Sequence, residues 1–220
     1  MELDRILLDI ETQRDFFSPG GSLYTPQAAR AARNVYHLFA WARVCHVPVI
    51  STVLRVRPDE IGPLADRPHC IEGTEGEQKL SKTVLARRIN LGLRNTTDLP
   101  DHIFQHYQQV IFEKRHVDIF DHARAERLIT ELPKVTFVLC GAGVSSGILQ
   151  AAVGLRNRGF GVILASDAVV APRPNAAPMA RLRMEAKGVI CAPTEKIVSP
   201  RPGVRRRPFR HATSVGRQAF

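Results

Sequence analysis

Short apolar runs alternate with helical patterns along most of this chain, and that alternation constrains its fold more than any other feature. Arg5-Ile6-Leu7-Leu8-Asp9-Ile10 reads as a buried strand. Thr25-Pro26 then opens a helix, with threonine suited to the N-cap and proline to the first helical position. Ala28, Val35, Leu38, Phe39 and Ala42 fall on one face of that helix. Further strands are expected at residues 47–53, 109–113, 135–140, 161–166 and 189–191, with helices near 78–88, 122–131, 146–157 and 175–187. Strands that alternate with helices make βαβ units and a parallel sheet. The expectation is a single α/β domain over residues 1–198, a three-layer α/β/α sandwich around a doubly wound, mostly parallel, six-stranded sheet. Residues 55–100 break the rhythm. They are punctuated by Gly, Pro and Asp and are too long for a plain connector, so they are expected to be functional or to cover something.

The net charge of +10 suggests nucleic acid until it is located. Six arginines and no acid lie in residues 199–220, leaving 25 basic against 21 acidic residues before them. A Pro/Arg-rich tail with few large apolar residues is expected to be a disordered, solvated extension rather than a binding element. A nucleic-acid or acidic partner for it is the minor reading. No apolar run approaches the ~18 residues of a membrane span, and the acidic start Met1-Glu2-Leu3-Asp4 does not read as a secretory leader. The four cysteines, Cys45, Cys70, Cys140 and Cys191, stand far apart with no CxxC pair. Neither a zinc site nor a disulfide framework follows, and a cytoplasmic setting fits.

In open parallel sheets chemistry collects at the carboxyl ends of strands, near the point where strand order reverses. Three strand ends carry informative residues: Glu11, Lys114, and the turn Gly141-Ala142-Gly143-Val144-Ser145-Ser146-Gly147. A carboxylate and an ammonium at neighbouring strand ends can position a water or a substrate proton, or they can be a structural ion pair at the sheet rim. The residues alone leave both open. Glycines before a helix N-terminus expose peptide N–H groups that can hold an anion or oxyanion. The turn matches neither the phosphate loop GxxxxGK[ST] nor GxGxxG.

Glu11-Thr12-Gln13-Arg14-Asp15-Phe16 resembles the DxQxDF first-strand signature of isochorismatase-like cysteine hydrolases. Gly73-Thr74-Glu75-Gly76 is similar to that family's GTxG loop, and the segment from Lys114 to Phe120 to its KxxxxxF. Gly141 to Ile148 resembles its GxxxxxCV turn, and Asp167-Ala168 its DA after the next strand. The five motifs occur in the family's order across residues 5–198.

The family works with an Asp–Lys–Cys triad. Carried over by position, lysine is retained as Lys114, aspartate becomes Glu11, and the nucleophilic cysteine becomes Gly147. Glycine cannot attack a carbonyl, so acyl-enzyme chemistry should be absent. True isochorismatases resemble this chain in having glycine there, and they cleave a vinyl ether by protonation and hydration. The resemblance therefore implies a hydrolase of small molecules without a covalent nucleophile, or a catalytically silent relative that binds a ligand or serves in an assembly. It further implies peptide N–H donors at Gly143 and Gly147, the first after a non-proline cis peptide. Phe16, His116, Val144 and Ser146 are expected around the substrate, and the protein is expected to form a homo-oligomer. Asp9 is the acid only in a register that displaces Gln13, Asp15 and Phe16. Cys140, Cys70, Ser145 and Ser146 are weak substitutes for the missing thiol. No cofactor is implied, and no metal, because residues 51–57 offer neither Asp nor His.

Overall fold

The computed structural model describes residues 4–61 and 64–199; the arginine-rich tail lies outside them apart from Ser199. The strands are β1 (Arg5–Ile10), β2 (Val49–Leu54), β3 (Arg88–Asn90), β4 (Gln109–Lys114), β5 (Thr136–Ala142), β6 (Gly161–Val170) and β7 (Ile190–Ala192). They form one sheet in the order β3-β4-β2-β1-β5-β6-β7, with every pairing parallel. The helices are α1 (Arg14–Phe17), α2 (Ala28–Val44), α3 (Ile103–His106), α4 (Ala123–Thr130), α5 (Gly147–Asn157), α6 (Ala177–Ala186) and α7 (Thr194–Val198).

Central strands of such a sheet are covered on both faces, so they read as nearly unbroken apolar runs. In β1, Ile6, Leu8 and Ile10 enter the core built with α4, α5 and α6, whereas Leu7 enters the core built with α2 and α7. The two cores are the two interfaces of a three-layer sandwich. Strand order reverses between β1 and β5, and the carboxyl ends of β1, β4 and β5 converge there.

The seventh strand, β3, was not expected. It is three residues at the sheet edge beside β4, too short to show a period. The helix expected near 78–88 is absent. A 3₁₀ turn at Ser81–Thr83 stands there instead, because tertiary bonds claim the backbone: Leu80 N–H donates to Thr12 O at 2.9 Å. Strand β6 runs to Val170 and so includes Asp167 and Ala168. Asp167 accepts from the Thr194 N–H and hydroxyl at 2.8 and 2.7 Å, which starts α7.

The 55–100 segment does cover the sheet. Gln13 pins it by donating to Glu77 O at 2.8 Å while exchanging bonds of 2.7 and 2.8 Å with the Leu54 peptide of β2. Asp15 accepts from Cys70 N–H at 2.6 Å and Ser22 N–H at 3.1 Å. A Cβ on Gly76 would strike the Asp15 carboxylate, so the loop approaches that closely only as glycine. Two residues of the first-strand motif thus fasten the cover.

Candidate active site

Glu11 follows β1 with φ of 52°, a left-handed conformation that costs a non-glycine residue about 1–3 kcal/mol and is concentrated at functional sites. Its N–H donates to Thr52 O at 3.3 Å, and its side chain turns toward the end of β4. There Lys114 Nζ donates to Glu11 Oε1 and to the carbonyls of His116 and Val117 at 2.9 and 3.0 Å. Those three bonds use all three ammonium donors. Both residues are 3% exposed. Lys114 is therefore a fixed charge with no proton left to offer, and Glu11 Oε2 is the oxygen without a partner among the described residues.

Gly141 has φ of 119°, and a Cβ there would run into Ile10 O; only glycine lets β5 leave the sheet this close to β1. The chain then turns into α5 at Gly147. A Cβ on Gly147 would lie 3.3 Å from Glu11 Oε1, 3.2 Å from Ile10 Cγ2 and 3.5 Å from Val117 O. The sheet ends thus bring Glu11, Lys114 and Gly147 into one cluster, and the Glu11 carboxylate stands against the side-chain position that Gly147 leaves empty.

Glu11 lines a cavity of about 230 Å³ together with Phe16, Ser145, Ser146, His69, Arg67 and Arg173. The ring of His69 meets Phe16 edge-on at 5.4 Å between centroids, and Ser146 Oγ donates to Gly143 O at 3.3 Å. The other expected residues lie elsewhere. His116 lines a separate recess with His122, Asn95 and Arg115 and meets the site only through its carbonyl. Val144 is 1% exposed and packs in the core. Gly143 N–H donates to Val170 O at 3.0 Å, continuing the β5–β6 ladder, and the chain has no cis peptide among the described residues. That corrects the expected cis bond before Gly143 and takes its N–H away from a substrate.

The weak substitutes for a thiol fare no better. Burial, with Glu11 and Asp15 nearby, pushes the Cys70 thiol far up, well away from thiolate formation. Burial does the same to Cys140. Among the described residues no cluster of three or more His, Cys, Asp or Glu could hold a metal ion, and no helix is long and apolar enough to cross a membrane.

Arg67, His69 and Arg173 escaped sequence reasoning. They lie in irregular loops more than a hundred residues apart, and nothing short of the fold joins them.

A second buried ion pair lies two residues before Glu11. Asp9 is fully buried on the α2 face, where Lys79 of the cover donates to its Oδ2 and to Thr12 Oγ1, the latter at 2.6 Å. Ser51 Oγ donates to the same Asp9 oxygen at 2.8 Å, and Gln109 Nε2 donates to Ser51 Oγ at 2.8 Å. Neither residue of this pair lines the Glu11 cavity.

Comparison with known proteins agrees with the architecture. The nicotinamidase PncA from Bacillus subtilis superposes with a TM-score of 0.66 at 19% identity, over 86% of this chain and 99% of that one. The N-carbamoylsarcosine amidase from Thermoplasma acidophilum gives 0.65 at 17%, over 87% and 97%. A putative isochorismatase hydrolase from Oleispira antarctica gives 0.69 at 15%, over 90% and 97%. At these identities the likeness speaks for the fold. No protein of curated function matches the sequence. A model of the isochorismatase domain, however, matches residues 5–196, nearly the whole described chain. By that match this chain belongs to the isochorismatase domain family, whose α/β fold it shares.

Proposed function

We propose that this protein hydrolyses a small molecule without forming a covalent enzyme intermediate, using Glu11 to move the proton and Lys114 to hold the charge. The observation that carries this reading is the Glu11 carboxylate, with one oxygen anchored by Lys114 and the other unpartnered, beside a Gly147 that has no side chain to act as nucleophile.

For a vinyl ether the steps balance. The Glu11 carboxyl passes its proton from Oε2 to the terminal alkene carbon, and the carboxylate left behind is held by Lys114. The substrate becomes an oxocarbenium ion. Water adds to the carbon that bears the ether oxygen while Oε2 takes back a proton, and the hemiketal collapses to a carbonyl compound and an alcohol. The net change is addition of one water and scission of one C–O bond. A carboxylate fixed beside an ammonium in a site of low polarity stabilises such developing positive charge without reorganising.

The test is turnover of vinyl ethers, amides and carbamates by wild type beside Glu11→Gln. Wild type should cleave a vinyl ether, and the variant should lose about 10²–10⁴-fold, the usual yield of a positioned acid–base group. Amide cleavage with an acyl-enzyme burst would overturn the reading. So would silence across the panel, which would favour a ligand-binding relative without activity.

A further inference from the structure

We propose that the groove between α5 and α6 is a second ligand site, built for a nucleoside monophosphate. Its apolar floor takes the flat heterocycle, and two cations on its wall take the phosphate. The groove encloses about 590 Å³, within the ~300–1,000 Å³ of pockets that hold small molecules. It shares no residue with the Glu11 cavity, so the inference stands or falls apart from the proposed hydrolysis.

The floor comes from one face of α5 and from the segment after β4. Leu149, Val153 and Asn157 follow one another at four-residue steps along α5, with Phe120 beside them. A Cβ on Gly154 would strike the Phe120 ring, so glycine lets that ring sink against the helix. The Arg158 guanidinium carbon lies 3.7 Å from the ring centroid. Arg158 is fully engaged there: it donates to the two Glu126 oxygens at 3.1 and 2.8 Å and to Gly154 O at 2.9 Å. Asp118, the one acid in the lining, accepts the Phe120 N–H at 3.0 Å. Phe120, Leu149 and Val153 are only partly buried.

The opposite wall is the end of α6, where Arg183 and Lys187 line the groove with Ala186. Both cations are exposed, and neither side chain has an ion pair or a hydrogen bond among the described residues. A helix C-terminus favours positive charge, which accounts for their sign. It does not account for two cations at four-residue spacing, where like charges repel, lining one apolar groove. An anion between them removes that repulsion, and a phosphate monoester carries the charge and the acceptors to meet both. The amides of Gln150 and Asn157, also in the lining, offer donors and acceptors to the edge of a heterocycle. A purely apolar ligand would leave the cations unmet, and an inorganic anion would leave the floor bare.

Adenosine monophosphate, adenosine and inorganic phosphate are titrated into the full chain by calorimetry at low salt. The proteins are wild type, Arg183→Gln, Lys187→Gln, the double variant, and Arg173→Gln at the Glu11 cavity. Wild type should bind the nucleotide about tenfold more tightly than adenosine, the scale of hydrogen bonds to a charged group, and more tightly than phosphate. The double variant should lose most of the preference over adenosine, each single variant part of it, and Arg173→Gln none. Both substituted α6 residues are exposed and unpaired, so the fold should persist, which melting curves check. In heteronuclear NMR spectra the nucleotide should move the amide signals of residues 149–157 and 183–187. No nucleotide binding, adenosine or phosphate bound as tightly as the nucleotide, or a preference that survives the double variant would overturn the site. So would shifts confined to the lining of the Glu11 cavity.

Discussion

Two carboxylate–lysine pairs sit within three residues of one another at the end of β1, and the chain uses them differently. Asp9–Lys79 is sealed: Asp9 is fully buried, Ser51 and Thr12 donate to it, and Gln109 donates in turn to Ser51. Lys79 belongs to the cover, so this pair ties the cover to the sheet. Glu11–Lys114 joins two strand ends and opens on a cavity. A buried ion pair is weak evidence of stability, because desolvation offsets its attraction, yet removing one partner is costly. What distinguishes a clamp from a reaction centre is therefore not the pair itself. It is whether a carboxylate oxygen faces protein or open space.

The comparison can be broken by removing a carboxylate from each pair. Asp9→Leu should cost about 3–5 kcal/mol by denaturant unfolding, because Lys79 is left charged in a dry site. Most of that loss should return in the double variant Asp9→Leu/Lys79→Met, which restores an apolar pair of similar volume. Glu11→Gln should cost less than about 2 kcal/mol, the scale of one charged hydrogen bond, because Lys114 keeps the carbonyls of His116 and Val117. Equal losses at the two sites would erase the distinction drawn here.

The next effect sharpens the account of the open pair. Glu11 is one methylene longer than the aspartate of the family pattern, and its carboxylate reaches the space beside Gly147. Gly147→Cys alone should therefore cost about 1–3 kcal/mol through crowding. Combined with Glu11→Asp it should cost less than the sum of the two single changes, with a coupling of about 1 kcal/mol. Additive losses in denaturation would show that the two positions do not share that space.

The smallest effect concerns the far side of Lys114. His122 is 3% exposed, and burial holds its imidazole below the ordinary histidine value of about 6.5, with the Arg124 and Lys114 charges acting in the same direction. The unfolded chain thus takes up a proton at a higher pH than the folded one. Stability should be unaffected by this group above that value and should fall as the pH drops through it. His122→Gln, whose amide can still meet Gly92 O, should flatten this part of the melting-temperature profile. An unchanged slope would exclude His122 as its source.

Much of the fold was legible because its signals are local. Unbroken apolar runs such as Phe137-Val138-Leu139-Cys140 mark strands buried on both faces, and the 3.6-residue period of Ala28 to Ala42 marks α2. Glu11, Lys114 and Gly147 were legible for a related reason: each stands at the end of a strand, where a parallel sheet gathers chemistry, and each falls within a motif of fixed spacing. Asp9 carried no such sign, and Lys79 lies in a segment without a period, so their pairing across seventy residues could not be read.

The sequence by itself determined the class of fold, the strands that carry the site and the absence of a side chain at 147, because periodicity and motif spacing are properties of neighbouring residues. Only the tertiary structure decided which carboxylate faces a cavity, that Gly143 N–H completes a strand ladder, and that Arg67 and Arg173 share a rim. Those outcomes depend on how irregular loops pack and where each hydrogen-bonding group finds its partner, and such contacts are settled across the whole chain at once.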